Sequence, residues 1–359
     1  MEFQSLPLLL EKIKPLDRER MDRAGQHIDK LVKPVGSMGR LETLAAQLAA
    51  MPGIGKLRDL QKEIIVMCAD HGVYNEGVAI SPKNVTAIQA RNMLLGLTGV
   101  CSLAKSNGTH VLPVDIGIDC EPIDNLLSLK LARGCGNIAQ GPAMPYAYAE
   151  TLLLASVQLV QQRLAAGISV FGVGELGIAN TTPAAAVISV LTGSDPSDVV
   201  GLGTNLPAGL LKHKESVVRQ AIDVNKPDTQ SPLDVLAKVG GFELVGMTGV
   251  ILGAAAAGVP VVLDGFISYA SALAAVQLAP SVRDYCIPSH LSAEKGAVLA
   301  LQHLGLKPYL HLDLRLGEGS GAAIAMSLID AACSMYCDMG YLAESGITFP
   351  ELSLLTHQA

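Results

Sequence analysis

The apolar positions of this chain form short, nearly continuous runs that alternate with longer stretches of helical periodicity. The runs are rich in Val, Ile and Leu, which is typical of strands buried on both faces of a sheet. We predict strands at residues 64–68, 110–116, 168–173, 199–202, 259–263, 285–288 and 309–316, and helices at residues 18–31, 41–51, 151–166, 183–191, 210–224, 268–278 and 293–304. This alternation predicts an α/β fold with a parallel, doubly wound sheet.

Polar residues and glycines follow each predicted strand. The strand ends are Asp70-His71-Gly72, Asp115-Ile116-Gly117, Gly172-Val173-Gly174-Glu175, Gly203-Thr204-Asn205, Asp264-Gly265, Ser289-His290 and Gly317-Glu318. In open α/β sheets the ligand crevice lies outside the carboxyl ends of the strands, so these residues should converge. The pattern predicts an enzyme or a ligand-binding protein with one crevice.

One acidic residue, Glu318, stands where the last predicted strand meets a helix. Leucine alternates with polar residues from Leu310 to Leu316, and glycines then flank Glu318 on both sides. The glycines would let a ligand approach the backbone, and the Ser320 and Gly321 amides would face it. Alternatively, Glu318 only interacts favourably with the positive end of the helix. The residues alone leave both interpretations open.

A glycine pattern at residues 172–177, GVGELG, formally matches GxGxxG. A dinucleotide site would also need an acid at the end of the next strand, but that strand ends in glycine, threonine and asparagine. This weakens a nicotinamide-dependent dehydrogenase and leaves open a phosphate bound by backbone amides, with Lys212 and Lys214 close enough to reach it. A non-catalytic nucleotide-binding protein also remains open.

Composition narrows the class of protein. Half of the 359 residues are hydrophobic, 16% are charged, 4% are aromatic, and the net charge is −7. An acidic chain with few aromatic residues lacks the features of a nucleic-acid binder, so we expect no nucleic-acid partner. The length predicts a large α/β unit with a smaller additional piece.

The cysteines and apolar segments predict a cytoplasmic protein. Seven scattered cysteines without a CxxC pair indicate reduced thiols, and charged residues around the first leucine run argue against a signal peptide. Residues 244–263 carry no charge and are long enough to span a bilayer. Gly258 and Pro260 interrupt this segment, so we predict a buried helix followed by a buried strand and no membrane span.

Two weaker features complete the chemistry. The glycine-rich basic loop at residues 33–40, KPVGSMGR, is either a plain turn or a loop that meets an anion or a neighbouring subunit. His311 with Asp313, and Asp70 with His71, could bind a metal but do not have a characteristic ligand spacing. We therefore predict no metal site.

Several longer motifs carry a family resemblance. They are ADHGV at 69–73 with EGV at 76–78, GELGIANTT at 174–182, VGGFE at 239–243, DGFIS at 264–268 and RLGEGSG at 315–321. Together they resemble the nicotinate-nucleotide:dimethylbenzimidazole phosphoribosyltransferase family, from the loop at residue 33 to the last helix.

The resemblance implies a pentosyltransferase of cobalamin lower-ligand synthesis. Such an enzyme moves phosphoribose from nicotinate mononucleotide to 5,6-dimethylbenzimidazole, and gives α-ribazole 5'-phosphate and nicotinate with inversion at the anomeric carbon. It uses no cofactor and is a homodimer. The implied fold has a Rossmann-like large domain, residues 63–318, and a small helical domain formed by residues 1–62 and 319–359.

The resemblance also implies site residues. The catalytic base is Glu318, and the substrate-binding residues are Ser81, Gln89, Glu175, Gly177, Gly203, Lys214, Arg315, Leu316 and Gly317. The chain departs from the family pattern at Leu202, Asn205 and Cys135. These departures concern the phosphate contacts.

The implied reaction is chemically compatible with these residues. A pyridinium nucleotide already carries a good leaving group, so no metal-bound pyrophosphate is needed. The attacking benzimidazole must lose a proton, and Glu318 could accept it if burial raises its pKa. Arg315 could instead lower that pKa, and the sequence leaves open which effect is larger.

Overall fold

The computed structural model describes residues 5–204 and 206–347. The strands are β1 (Lys62–Ala69), β2 (His110–Gly117), β3 (Leu127–Ser128), β4 (Val170–Leu176), β5 (Val261–Leu263) and β6 (Cys286–Pro288). The helices are α1 (Leu6–Leu10), α2 (Arg18–Asp29), α3 (Arg40–Ala50), α4 (Val85–Leu94), α5 (Gly99–Lys105), α6 (Tyr146–Ala165), α7 (Thr181–Thr192), α8 (Pro196–Val199), α9 (Leu211–Asn225), α10 (Pro232–Val239), α11 (Phe242–Ala257), α12 (Phe266–Leu278), α13 (Ala297–Leu304) and α14 (Ser320–Asp338).

The six strands form one sheet in the order β3-β2-β1-β4-β5-β6, and every neighbouring pair is parallel. The predicted α/β fold with a Rossmann-like, doubly wound sheet is confirmed. The strand order reverses between β1 and β4, where Ile64 pairs with both Val111 and Gly172. Such a switch point opens a crevice at the carboxyl ends of the strands.

Helices cover both faces of the sheet. Ile64 lies on the face that carries Met326 of α14, whereas Met67, three residues later, lies on the face that carries α11. Side chains of a strand alternate between faces, so this difference in parity places α14 and α11 on opposite sides. All residues of β1 and β4 are buried, which explains why they appear in the sequence as continuous apolar runs.

Two strand predictions are wrong. Val199 ends α8 instead of starting a strand, because Asp195 caps this helix by accepting a hydrogen bond from the Ser197 amide at 2.8 Å. The predicted strand at 309–316 contributes a single bridge, from Leu310 to His290. Asp313 has a φ of 53°, which breaks the extended conformation that the alternating leucines suggested.

The long uncharged segment at 244–263 divides into α11 and β5, as predicted, and both are buried. In the described part of the chain, α14 is the helix long and apolar enough to cross a membrane. However, 56% of its apolar window is buried, and the helix packs between α3 and strands β1, β4 and β5. This packing is that of a core helix.

Both cationic side chains of the loop at residues 33–40, Lys33 and Arg40, contact other residues of the chain. Lys33 Nζ lies 2.8 Å from Glu42 Oε1, and the Arg40 guanidinium lies 4.0 Å from the centre of the Tyr309 ring. Val35 at the tip remains 71% exposed and Met38 is 40% exposed. Of the two functional interpretations of this loop, these contacts favour a protein neighbour over an anion.

Candidate active site

A cavity of about 210 Å³ opens at the carboxyl edge of the sheet, where β4, β5 and the residues after β6 end. Eight of the predicted site residues line it: Ser81, Gln89, Glu175, Gly177, Arg315, Leu316, Gly317 and Glu318. The other two, Gly203 and Lys214, line a smaller adjoining cavity of about 70 Å³. Ser81, Gly177 and Thr181 border both cavities, so the ten residues surround one continuous site.

Glu318 sits on an unusual backbone corner in this cavity. Its φ is 64°, a left-handed value that glycine adopts readily and glutamate rarely, and the flanking glycines also have positive φ. The Glu318 amide donates to the Glu175 carbonyl at the end of β4, at 3.2 Å. The sequence correctly predicts a turn into a helix here, but the residues before it are not a strand.

The amides at the start of α14 do not face the cavity. The amides of Gly319, Gly321 and Ala322 donate to the Asp264 carboxylate, at 3.1, 2.7 and 3.3 Å. The Ser320 amide donates to the Gly317 carbonyl at 3.0 Å, so the expectation that Ser320 and Gly321 present free donors to a ligand is wrong. Asp264, at the end of β5, occupies the positive end of the helix instead.

The Glu318 carboxyl has few polar partners. Gln89 Nε2 donates to its Oε1 at 3.3 Å, and Oε2 has no hydrogen-bond partner within the described ranges. Burial raises the pKa of Glu318, and the nearby Val100 amide and Gln89 oppose only part of that increase. The groups that lower the pKa of Glu318 are Val100, Gln89 and Gly99, and Arg315 is not among them; its guanidinium donates to the Thr204 carbonyl.

Two further carboxyls lie beside Glu318. Burial, with the neighbouring carboxylates, raises the pKa of Glu175 to about 8, against a hydrogen bond from Asn180. Burial likewise raises the pKa of Asp264 to about 7, against its three backbone donors. Near neutral pH Glu175 therefore holds a proton and Asp264 is partly ionised, which limits the negative charge beside Glu318.

The smaller cavity forms a cationic end of the site. Lys214 is 1% exposed, its Nζ donates to Thr181 Oγ1 at 2.8 Å, and burial lowers its pKa to about 8. Gly203 has a φ of 65° and lies next to Lys214 Nζ. Lys212, which the sequence also suggested, is exposed and pairs with Glu215 at 2.9 Å, away from the cavity.

The GxGxxG pattern has a packing role. Gly172 and Gly174 lie within β4 and not in a loop. A Cβ on Gly174 would come within 2.6 Å of the Glu318 carbonyl oxygen, and a Cβ on Gly172 within 2.9 Å of Ile64. Only Gly177 reaches the cavity, so the dinucleotide interpretation loses its phosphate loop.

Sequence reasoning did not assign several residues that line the cavity. Asp264 and Asn180 appeared within family motifs but received no role, His290 appeared only as a strand end, and Ser292 and Glu294 gave no signal of their own. Burial lowers the pKa of His290 to about 4, so the ring is neutral near pH 7. The position of each residue after a parallel strand was the signal that could have identified it.

The departures from the family pattern fall in different places. Leu202 borders the smaller cavity, and Asn205 lies outside the described residues. Cys135 is buried away from both cavities, beside His71 and Glu243.

His71, Cys135 and Glu243 form the one cluster of possible metal ligands in ranges 5–204 and 206–347, and His71 Nε2 lies 3.1 Å from Glu243 Oε1. We interpret the cluster as a buried ion pair with a thiol neighbour. His311 and Asp313 are both exposed.

Known proteins resemble this chain over nearly its whole length. The phosphoribosyltransferase family model matches residues 13–347. Nicotinate-nucleotide–dimethylbenzimidazole phosphoribosyltransferases from Photorhabdus laumondii and Yersinia enterocolitica are 60% and 61% identical over 348 residues, which is 97% of this chain and 100% and 99% of theirs. A crystal structure of the enzyme of that name from Thermus thermophilus aligns with a TM-score of 0.87 and 39% identity, and the alignment covers 93% of this chain and 100% of that one.

Proposed function

Because this chain belongs to the nicotinate-nucleotide:dimethylbenzimidazole phosphoribosyltransferase family, we propose that it moves phosphoribose from nicotinate mononucleotide to 5,6-dimethylbenzimidazole. The products are α-ribazole 5'-phosphate and nicotinate, and the reaction belongs to cobalamin biosynthesis. The observation that carries the mechanism is Glu318, a buried acid with a raised pKa at one end of a site whose other end is cationic.

The reaction needs one proton acceptor. One ring nitrogen of the benzimidazole attacks C1' of the ribose, and the C1'–N bond to the pyridinium ring breaks with its electron pair on the pyridine nitrogen. The other benzimidazole nitrogen loses its proton, which Glu318 accepts. Oε2, which has no hydrogen-bond partner among the residues described, is available for that proton. Attack opposite to the leaving group inverts the anomeric carbon.

The remaining site residues bind the two substrates. Gln89 and Leu316 flank Glu318, and with Ser81 they form the proposed base pocket. Gly177, Gly203 and Lys214 surround the adjoining cavity and are the proposed phosphate contacts.

The residues at the corner hold the ribose in this proposal. Glu175 lies against Gly317, between the two ends of the site. Arg315 is fixed on the Thr204 carbonyl and borders the same space. These contacts would place C1' between Glu318 and the phosphate.

The alternatives lose their support. A dehydrogenase would need the glycine pattern as a phosphate loop, but two of its three glycines lie inside β4. A nucleotide-binding protein without activity would not need a buried acid whose pKa is raised, held in a rare backbone conformation.

We also propose a cytoplasmic homodimer without a cofactor or metal. All seven cysteines are free thiols, which supports a reducing compartment. Leu95 and Leu97, in the turn after α4, are each 70% exposed and offer an apolar surface to a second copy. The ring nitrogen of the departing nicotinate leaves uncharged, which supports metal-independent chemistry.

The proposed small domain joins the two ends of the chain, residues 1–62 and 319–359. Leu31 and Tyr341 form an antiparallel bridge, and the Val32 amide donates to the Gly340 carbonyl at 2.8 Å. Helix α3 also packs on α14, although α14 itself covers one face of the sheet. The contacts of Leu31, Val32 and α3 with the C-terminal segment support the proposal, and residues 63–318 would form the large domain.

The decisive experiment measures nicotinate release from nicotinate mononucleotide and dimethylbenzimidazole, with and without excess EDTA. We expect full activity in chelator. In Glu318→Gln the side chain keeps its shape but accepts no proton near pH 7, so kcat should fall about a hundred- to ten-thousandfold while both substrates still bind.

The matched control is Glu175→Gln, the same substitution at the neighbouring buried acid. It should act mainly through the KM for nicotinate mononucleotide. Near-wild-type kcat in Glu318→Gln would remove Glu318 from the mechanism, and activity that disappears in EDTA and returns with a metal would overturn the metal-independent reaction.

A further inference from the structure

The backbone around Glu318 is hydrogen-bonded to the carboxyl ends of two strands, β4 and β5. On one side, the Glu318 amide donates to the Glu175 carbonyl at the end of β4 at 3.2 Å. On the other side, the Gly319 amide donates to Asp264 Oδ2, just after β5, at 3.1 Å. The catalytic residue therefore has a backbone anchor immediately before it and another immediately after it.

Asp264 is the side chain that makes the second anchor. It is 2% exposed, and both of its oxygens are occupied: Oδ2 by Gly319, and Oδ1 by Gly321 at 2.7 Å and Ala322 at 3.3 Å. These are amides that the start of a helix leaves without partners inside the helix. Asp264 thus fixes the first turn of α14 relative to the sheet.

We infer that Asp264 is a positioning residue for the transfer reaction. It holds the backbone of Glu318 in its left-handed conformation and so orients the Glu318 carboxyl toward the benzimidazole. Glutamate rarely adopts a φ of 64° unless its surroundings impose it. Gly174 packs against the backbone of Glu318 and leaves room for it, but glycine has no side chain that could hold Glu318 by a hydrogen bond. The attraction comes from the carboxylate of Asp264.

The hydrogen-bond pattern explains why both oxygens matter. In Asp264→Asn one oxygen becomes an NH2 group, which cannot accept from an amide. If the remaining oxygen stays with Gly321 and Ala322, the new NH2 faces the Gly319 amide, donor against donor. The isosteric substitution therefore releases the residue directly after Glu318 and leaves the volume of the core unchanged.

This inference rests on the proposed function, and a double-mutant cycle separates the two. We compare the wild type, Asp264→Asn, Glu318→Gln and the double variant by kcat and by the dissociation constants of both substrates. Asp264→Asn should lower kcat about tenfold to a hundredfold, with dissociation constants within threefold of wild type, because a misplaced base costs turnover more than binding. In the Glu318→Gln background the same substitution should change kcat less than threefold.

The matched control is Asp115→Asn. Asp115 is also 2% exposed, lies near the carboxyl end of β2, accepts the Gly117 and Ile118 amides at 3.1 and 2.9 Å and pairs with Lys130 at 2.7 Å, but it lines neither cavity. It should lose stability with kcat within threefold of wild type. A purely structural role for Asp264 predicts that both variants behave alike.

Three results would overturn the inference: kcat of Asp264→Asn within threefold of wild type, an equal loss in the Glu318→Gln background, or a rise in both dissociation constants that accounts for the loss. Loss of activity in Glu318→Gln alone, with an active Asp264→Asn, would leave the proposed function intact. If Asp264→Asn does not fold, amide hydrogen exchange of the wild type replaces it. The Gly319 amide should then be protected as strongly as the middle of α14, and exchange as fast as exposed loops would contradict the anchor.

Discussion

Glu318 is 5% exposed, and Gln89 provides its only side-chain hydrogen bond in the described part of the chain. Burial disfavours the charged form of a carboxyl, whereas a donor favours it, and here burial has the larger effect. A base whose pKa is raised accepts a proton more readily, provided that it is still ionised at the working pH. The same environment therefore sets both its reactivity and its pH range.

The pH profile of turnover tests this environment. Glu318 must be ionised to act as a base, so kcat should fall as the pH drops through its pKa, which lies above the ordinary glutamate value. Gln89→Leu removes a donor to the charged form and should move that acid limb to higher pH. A profile measured from pH 4.5 to 9 checks both. An acid limb that moves to lower pH in Gln89→Leu would contradict the assignment.

Lys214 provides a second test at the same scale. A buried lysine whose pKa is already lowered gains most from an anion, so Lys214→Met should raise the KM for nicotinate mononucleotide about ten- to a hundredfold, on the scale of a charge-assisted hydrogen bond. Lys212→Met is the control, because Lys212 lies two residues earlier and pairs with Glu215. Equal KM values in the two variants would separate Lys214 from the phosphate.

The elements show how far the sequence could predict the fold. Strands β1, β2, β5 and β6 appeared as buried runs within two residues of their ends, because burial on both faces leaves a continuous apolar pattern. The leucines at 310–316 gave an equally regular pattern without a strand, since Leu312 and Leu316 are 49% and 52% exposed. A pattern of alternation records side-chain polarity, and pairing also requires a neighbouring strand.

The candidate site was predictable to a similar extent. The family resemblance implied ten site residues, and the structure brings them to one edge of the sheet. Asp264 was a strand end with one acid, and its role depends on amides more than fifty residues later in the chain. No local pattern contains such a contact. The same holds for Arg315, which donates to the carbonyl of Thr204, 111 residues earlier in the chain.

The glycines of β4 give a prediction about this element. Gly174→Ala would place a Cβ 2.6 Å from the Glu318 carbonyl oxygen, a backbone atom that cannot move alone, so both stability and turnover should fall. Gly172→Ala meets the side chains of Ile64 and Met326 at 2.9 and 3.1 Å and should lose stability with less effect on turnover. Gly25→Ala, in α2 with free space around it, should be neutral or slightly stabilising.

Thermal unfolding and kcat measured on the three alanine variants check this order. A Gly174→Ala protein with wild-type turnover would show that the corner can move away from β4 without consequence for Glu318.

At the scale of the whole molecule, the exposed leucines after α4 predict a dimer surface. Leu95 and Leu97 lie next to the helix that carries Gln89 into the cavity. Lysine at both positions should convert a dimer to a monomer in sedimentation velocity, because buried charges in an apolar interface are strongly unfavourable. Val224→Lys on α9, where the valine is 48% exposed, is the control. A wild-type monomer, or a dimer that survives both lysines, would contradict this surface.

The buried acids also make the stability of the whole molecule depend on pH. The pKa of Glu175 is about 8 in the folded chain, above the unfolded value of about 4.3, so between these values the folded state holds a proton that the unfolded state has released. The stabilisation is complete below the unfolded pKa and is lost as the pH rises through 8. Each such group lowers the free energy of unfolding by at most about 1.4 kcal/mol per pH unit.

Denaturant unfolding of the ligand-free protein between pH 5 and 8 should therefore show a free energy of unfolding that falls with pH, and Glu175→Gln should have a shallower slope because its amide does not titrate. Glu42→Gln is the control, since Lys33 and the Met38 amide lower the pKa of Glu42 despite its burial, and it is ionised in both states across this range. Its loss should shift the curve without changing the slope. Parallel curves for Glu175→Gln and the wild type would mean that Glu175 is ionised in the folded protein. The site would then carry more negative charge than a protonated Glu175 allows.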